Sequence, residues 1–307
     1  MKIFVISPNI DTFFTPEQIK ILDASGDIVF HKQMTAYEQV PGLFEGDEDR
    51  ILAIDPDFSD WKLPNEVIEK VPNLKAIVLQ TTSFSWVDVD FAKSKNIPVV
   101  NLRGFSSIAV AEWATMLMLT LARRLPVIIK DNWKQDYTKH KGIELRGKTA
   151  GVVGLGNIGT AVAENCHGLG MNVQYWSKTS RDDRFKFMEL EDLMKSSDVI
   201  LPVVAQNSDT QGMLTDEMLK SMKKSAIFVS VIHNVYNHEL LLEMVKQGTL
   251  YGYGFEDPKV SMAQFEGNVW AGPELAWCTE DSLKKNAEQW IEAIVNASKG
   301  NFPTKVN

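Results

Sequence analysis

Six residues near the middle of the chain, Gly154-Leu155-Gly156-Asn157-Ile158-Gly159, have the spacing that lets a backbone close around an anionic ligand. Thr149-Ala150-Gly151-Val152-Val153 before them reads as a strand, and Thr160-Ala161-Val162-Ala163 after them opens a helix. That context turns a bare GxGxxG into a dinucleotide-binding turn. Gly154 permits the tight turn, Gly156 lets the backbone approach a pyrophosphate, and Gly159 allows close helix–strand packing. Asn157 and Ile158 begin the helix whose N-terminus favours the phosphates. The competing reading, a glycine turn that binds nothing, has the flanks against it. The next strand, Asn172–Trp176, ends at Ser177-Lys178-Thr179-Ser180-Arg181, where an NAD site usually carries an acid for the ribose hydroxyls. With no acid present, Lys178 or Arg181 would hold a 2′-phosphate, with Ser177 and Thr179 as hydrogen-bond partners, so NADP(H) is favoured over NAD(H). The alternative is that these cations are solvated and NAD binds without its acid. Asp182 and Asp183 lie past the strand end and read as solvated loop charges.

These residues must be positioned by a regular scaffold, and the chain's periodicity supplies one. In the first hundred residues KIFVIS, DIVFHK, the DRILAID segment, KAIVLQ and IPVVN alternate with helical stretches, one beginning at Thr15-Pro16-Glu17-Gln18 and another at Leu63-Pro64. Strands alternating with helices imply a parallel sheet with crossovers. A long helix over about Ser107–Leu125 and a polar arm, KDNWKQDYTKHKGIELRGK, follow. Six more apolar runs come next: TAGVVG, MNVQYW, SDVILPVVA, SAIFVSV, LYGYGF and NVWAG. Six such runs separated by helices match a doubly wound dinucleotide-binding sheet. The last helix, about Glu280–Lys299, is expected to return to the first domain. The predicted organisation is therefore a smaller α/β domain, 1–100 plus 283–307, with a Rossmann domain, 101–282, inserted into it and a ligand cleft between the two.

The 307 residues suit two domains, and 44% hydrophobic with 23% charged residues is ordinary for a globular chain. A formal net charge of -8 argues against nucleic acid and anionic membranes as partners. The greasiest stretch, Ile108–Ala122, contains Glu112 and is shorter than the ~20 apolar residues a membrane span needs, so it reads as a buried helix. The opening MKIFVIS reads as a strand without a signal-peptide pattern. Cys166 and Cys278 form neither a CxxC nor a zinc cluster, so both read as buried, inert thiols in a reducing, cytoplasmic setting, and no metal site is expected.

The run VVNLRGFSSIAVAEWATMLMLTLARRL, followed after the arm by ELRGKTAGVVGLGNIGTAVA, resembles the D-2-hydroxyacid dehydrogenases. The matching elements are the Asn101–Gly104 turn, the Ala109–Glu112 helix motif and Leu145–Gly159. Ser197-Asp198-Val199, Leu250-Tyr251-Gly252, Asn268-Val269 and Thr279-Glu280 follow in the family's order. The resemblance covers most of the chain. It implies a flavodoxin-like first domain, a homodimer built on the long helix and arm, and hydride transfer between a nicotinamide and C2 of a 2-oxo or 2-hydroxy acid. That chemistry needs a proton donor or acceptor at the C2 oxygen, a carboxylate to tune it if it is an imidazole, and a cation for the substrate carboxylate. The family supplies His, Glu and Arg.

This chain departs at each position. His233, in Val229-Ser230-Val231-Ile232-His233-Asn234, stands where the family has its arginine, and Glu274, in Gly272-Pro273-Glu274, stands where it has its histidine. Glu256 takes the place of a nicotinamide-side aspartate, and Ser261 falls at the spacing of the catalytic glutamate. The sharp reading makes His233 and Glu274 a rearranged acid–base pair facing the nicotinamide. The bland one makes them drifted residues in an inactive cleft. Arg103 is a candidate substrate anchor or else a surface cation. By family analogy the backbone amides of Thr81, Thr82 and Ser83 would cradle a carboxylate. Phe105 and Trp277 line a pocket or simply pack, while Trp86 and Trp113 serve packing or a dimer interface. His31, His140, His167 and His238 match no motif and read as structural. The functional expectation is an NAD(P)-dependent 2-oxo acid reductase. Its competitor is a catalytically inactive dinucleotide binder acting as a sensor or partner-binding module.

Overall fold

The computed structural model describes residues 1–207 and 209–307, and the chain divides into two units: Met1–Ser106 with Thr279–Asn307, and Ser107–Cys278.

The first unit is built on five parallel strands, β1 (Lys2–Ile6), β2 (Asp27–His31), β3 (Arg50–Ile54), β4 (Leu74–Leu79) and β5 (Val99–Val100), in the order β2-β1-β3-β4-β5. This is the flavodoxin-like order. Ile3, Phe4, Val5 and Ile6 are all fully buried, as in a parallel sheet covered on both faces, where strands read as continuous apolar runs. Thr15 opens the helix Pro16–Asp23 with a reciprocal capping box to Gln18. The final helix, Glu280–Ser298, is fastened to the end of β4: the Trp290 indole donates to the Val78 carbonyl at 3.3 Å and the Asn286 amide to that of Gln80 at 2.9 Å.

The second unit carries seven parallel strands: β6 (Thr149–Val153), β7 (Asn172–Trp176), β8 (Lys186–Phe187), β9 (Val199–Pro202), β10 (Ile227–Val229), β11 (Gly252–Glu256) and β12 (Val269–Gly272). Their order is β12-β11-β10-β9-β6-β7-β8, a doubly wound sheet whose direction of winding reverses between β6 and β9. Such a switch point opens a crevice at the carboxyl ends of the strands. The sequence predicts six of these strands. The missing one, β8, pairs only Lys186 and Phe187 with Gln174 and Tyr175, too short a segment to leave a periodic signal.

Three expectations are corrected. The long helix ends at Ala122, not Leu125, because Arg124 adopts a left-handed conformation (φ 56°) and Pro126 begins a separate helix, Leu125–Lys130. That first helix is also buried on one side only, since Ile108, Met116 and Leu119 are exposed. Cys166 matches its reading, for burial pushes its thiol up to about 12, but Cys278 is exposed on the turn leading into the last helix. Among the described residues, no helix is long and apolar enough to cross a membrane.

Candidate active site

The glycine loop joins β6 to the helix Asn157–Gly168. Gly154 has φ +105°, a left-handed conformation costly for any residue with a side chain. A Cβ on Gly159 would lie 2.0 Å from the Gly154 carbonyl oxygen, so the helix can approach the strand this closely only without one. At Gly156, by contrast, an added Cβ would meet nothing within 4 Å. Gly156 caps the helix without any side-chain hydrogen bond, which leaves the first-turn donors to an external acceptor. Close packing behind, open space in front and uncapped amides together fit a dinucleotide pyrophosphate.

Past β7, Ser177 is buried and its hydroxyl accepts from the Ser180 amide at 3.2 Å, closing a compact turn. Arg181 is folded onto that turn: Nη1 donates to the carbonyls of Ser177 (2.9 Å) and Ser180 (2.8 Å), and the guanidinium stacks 4.2 Å over the Phe187 ring. Lys178 is differently placed, three-quarters exposed and 3.4 Å from an equally exposed Asp209 carboxylate. Asp182 is tied up by Arg184, whose hydrogen bonds hold its carboxyl below the usual range.

The ends of β10, β11 and β12 bring together three of the singled-out side chains. After β10, the buried Ser230 donates its hydroxyl to the Ile232 carbonyl (2.8 Å) and accepts from the Ile232 amide (3.2 Å). Asn234 then takes a left-handed turn at φ 63°. His233, at the apex, is held by its own amide, which donates to the Gln206 side chain at 2.9 Å. After β12 comes Pro273-Glu274. The imidazole Nε2 of His233 lies 3.3 Å from the Glu274 carboxylate, with 43% and 54% of the side chains exposed. Glu256 closes β11 between them and is almost fully buried. Its Oε1 accepts from the amides of Leu275 (2.8 Å) and Ala276 (3.0 Å), so this carboxylate fixes the turn that carries Glu274. Burial pushes its carboxyl up, the two amides pull it down in part, and the Glu274 charge adds to the rise.

Beneath this loop lies a network that no motif announces. His238 Nδ1 is 2.8 Å from the Tyr253 hydroxyl, which donates to Tyr236 (2.9 Å), which donates in turn to the Ile232 carbonyl at 3.3 Å. Burial raises both tyrosines and lowers His238, an effect to which the charge of His233 adds. The network ends one residue before His233. Its members come from separate elements with no fixed spacing, and only the cluster of aromatic residues around Tyr253 hints at it.

In the first unit, Asn101 is buried and links the other candidates: its amide donates to the Thr82 carbonyl at 2.7 Å, and its oxygen accepts from Arg103 Nε at 3.4 Å. Arg103 itself is exposed. The Ser83 amide donates to Thr81 Oγ1 at 3.3 Å, and Leu102 pairs with the Thr81 carbonyl at 3.1 Å. Phe105 belongs to the core of this unit, whereas Trp277 is 42% exposed. Trp86 donates to the Ser83 carbonyl at 3.0 Å, and Trp113 packs against the core of the second unit.

Residues 115–261 match the family model described as D-isomer specific 2-hydroxyacid dehydrogenase, NAD binding domain. A glyoxylate reductase from Thermococcus kodakarensis is 30% identical over 269 residues, covering 80% of this chain and 80% of that protein. A D-3-phosphoglycerate dehydrogenase from Archaeoglobus fulgidus is 33% identical over 257 residues, covering 79% of this chain and 49% of the relative. Among solved structures, an acyclic imino acid reductase in complex with NADPH and D-Arg is 26% identical with a TM-score of 0.84, each chain covered to 100%.

Proposed function

Because the chain belongs to the D-isomer specific 2-hydroxyacid dehydrogenase family, we propose that it is an NAD(P)-dependent oxidoreductase working at C2 of a small 2-oxo or 2-hydroxy acid. A nicotinamide dinucleotide is its cofactor, and when bound in reduced form it supplies a hydride to the substrate's C2. Gly154, Gly156, Asn157, Ile158 and Gly159 hold the pyrophosphate through backbone amides and close approach. Ser177, Lys178 and Arg181 form the adenosine end. Lys178 is the group free to reach a 2′-phosphate, because leaving an exposed carboxylate costs it little. This favours NADPH over NADH.

The observation that carries the chemical assignment is the 3.3 Å contact between His233 and Glu274. An imidazole beside a carboxylate is a tunable proton donor, and His233 protonates the C2 heteroatom while Glu274 orients the ring. The electrophilic carbon is double-bonded to oxygen or, as in the similar imino acid reductase, to nitrogen. Glu256 keeps the Glu274 turn in place. For the substrate carboxylate we assign Arg103 and the backbone of Thr81, Thr82 and Ser83, which Asn101 links. We assign a homodimer to the exposed apolar face of the helix Ser107–Ala122 and to Trp133 and Tyr137 on the arm, which are 67% and 81% exposed. Two unpaired cysteines suit a reducing compartment such as the cytoplasm.

Steady-state assays with NADPH and NADH against a panel of 2-oxo acids test this reading, together with His233→Ala and Glu274→Gln. General acid–base help is worth roughly 10²–10⁴-fold, so each variant should lower kcat by at least a hundredfold. Clear dinucleotide binding without turnover of any acid would leave only a non-catalytic binder.

A further inference from the structure

Hydride addition to a carbonyl carbon leaves negative charge on oxygen, so a site for that reaction presents cations and a proton donor there. The strand ends here present the opposite charge. Neither Ser230-Val231-Ile232-His233-Asn234 after β10 nor Pro273-Glu274-Leu275-Ala276 after β12 contains a lysine or arginine. With Glu274 ionised, the His233–Glu274 pair is net negative with a neutral imidazole and neutral with imidazolium, so it adds no positive charge. Glu256, another acid, lies close enough to feel the charge of Glu274. After β11 the first basic residue is Lys259, exposed and outside the pair.

A protonated imine reverses the requirement. Its C=N⁺ carbon is already polarised, and hydride addition cancels a positive charge instead of creating a negative one. An adjacent carboxylate favours the iminium over the unreactive neutral imine, while the same carboxylate opposes an alkoxide. We infer that the electrophile reduced here is a 2-iminium acid, formed from a 2-oxo acid and ammonia or a primary amine, with Glu274 as counter-ion to its nitrogen. The inference rests on the reading of these strand ends as the hydride-transfer site. In the step, C2 gains a hydride from the reduced dinucleotide, the C=N π pair moves onto nitrogen, and the dinucleotide is oxidised. The neutral amine so formed takes a proton from His233 or water and leaves as an ammonium. Glu274 sets the protonation state of the electrophile and still orients the His233 ring, which remains a proton donor to the amine nitrogen.

The test uses the holoenzyme with NADPH and pyruvate, alone and with methylamine or ammonium at alkaline pH, following cofactor oxidation and identifying the product. Amine-dependent oxidation giving alanine or N-methylalanine, with kcat/KM at least tenfold above pyruvate alone, is expected. Amine-independent turnover to lactate overturns the inference and leaves the dehydrogenase reading standing. Turnover under neither condition with pyruvate or any other 2-oxo acid of the panel, with NADPH binding intact, overturns both. A second readout needs no turnover: calorimetric titration of the NADP⁺ complex with N-methylalanine and with lactate. Glu274→Gln, at a half-exposed position, should weaken the amino acid at least tenfold and leave lactate unchanged or tighter. Equal effects on both ligands would remove the counter-ion role.

Discussion

Glu256 gives the sharpest mechanical prediction. Its Oε1 is the common acceptor for the Leu275 and Ala276 amides, at 2.8 and 3.0 Å, and these two residues follow Glu274 directly. Glu256→Ala strands both donors. An unsatisfied buried amide costs about 1–3 kcal/mol. Leu275 is 44% exposed, so water can replace its lost acceptor, whereas Ala276 is buried and pays in full. Relief of burying the carboxylate offsets part of the loss, which leaves an expected destabilisation of about 1–3 kcal/mol. Glu256→Gln keeps an acceptor oxygen at the same place and should stay within about 1 kcal/mol of wild type. Because burial raises the Glu256 carboxyl, the folded protein holds that proton more tightly than the unfolded chain. Wild-type stability therefore falls as pH climbs from the ordinary carboxylate range through the raised value, and the glutamine variant should lose that part of the slope. Urea unfolding across pH reads the stability, and steady-state kinetics read the turn. The alanine variant should lower kcat tenfold or more while the glutamine variant stays close to wild type. An alanine variant within about 0.5 kcal/mol of wild type and equally active would refute the clamp.

The remaining predictions concern the cofactor site and the sheet that supports it. Lys178→Ala should weaken NADPH much more than NADH, and Asp209→Asn, which removes the carboxylate 3.4 Å from that ammonium, should tighten NADPH selectively; fluorescence titration with both nucleotides checks this, and equal effects would contradict the 2′-phosphate assignment. Arg181→Ala should hurt both nucleotides, since its guanidinium braces the Ser177–Ser180 turn. Gly159→Ala places a methyl 2.0 Å from a backbone oxygen and should cost more than the ~1–3 kcal/mol of ordinary overpacking, abolishing dinucleotide binding in the same titration. Burial is the largest influence on Asp198 and raises it, but the Thr149 amide and the Lys223 and Lys148 charges together outweigh that and hold its carboxyl low. Its contribution is thus present above the ordinary carboxylate range and lost as pH falls through the lowered value. Asp198→Asn should cost about 1–2 kcal/mol near neutrality, after discounting for the partly exposed Lys223, and should flatten acid denaturation followed by circular dichroism.

Much of the scaffold is readable from residue order because parallel strands buried on both faces must be runs of apolar residues. KIFVI, RILAI and LKAIVL all carry that signature. Where burial is not the organising force the signal fades. β8 is two residues joined to the edge of β7, and its place is set by pairing with Tyr175, not by its own composition. Similarly, the break at Arg124 depends on one residue accepting a left-handed conformation, which the apolar run around it does not reveal. Cys278 shows the opposite error, in which a residue type that is usually buried sits on an exposed turn.

The site divides along the same line. The proposed phosphate site is legible because it would be made by backbone, and backbone geometry demands glycine at fixed intervals. The proton transfer we propose would be done by side chains on loops after different strands, and only the fold makes His233 and Glu274 neighbours across β11. Gln206, Glu256 and the His238–Tyr253–Tyr236 chain, which support that pair, come from three separate segments with no shared motif. A loop can therefore exchange its chemistry while the glycine turn and the sheet stay unchanged. On the proposed reading, the strand ends of this chain carry negative charge where the chemistry occurs. Turnover selectivity between carbon–oxygen and carbon–nitrogen double bonds should follow that charge, and introducing a cation, as in His233→Arg, should move it towards the oxo acid. If His233→Arg leaves the ratio of amine-dependent to amine-independent turnover untouched, local charge does not choose the electrophile, and pocket shape must.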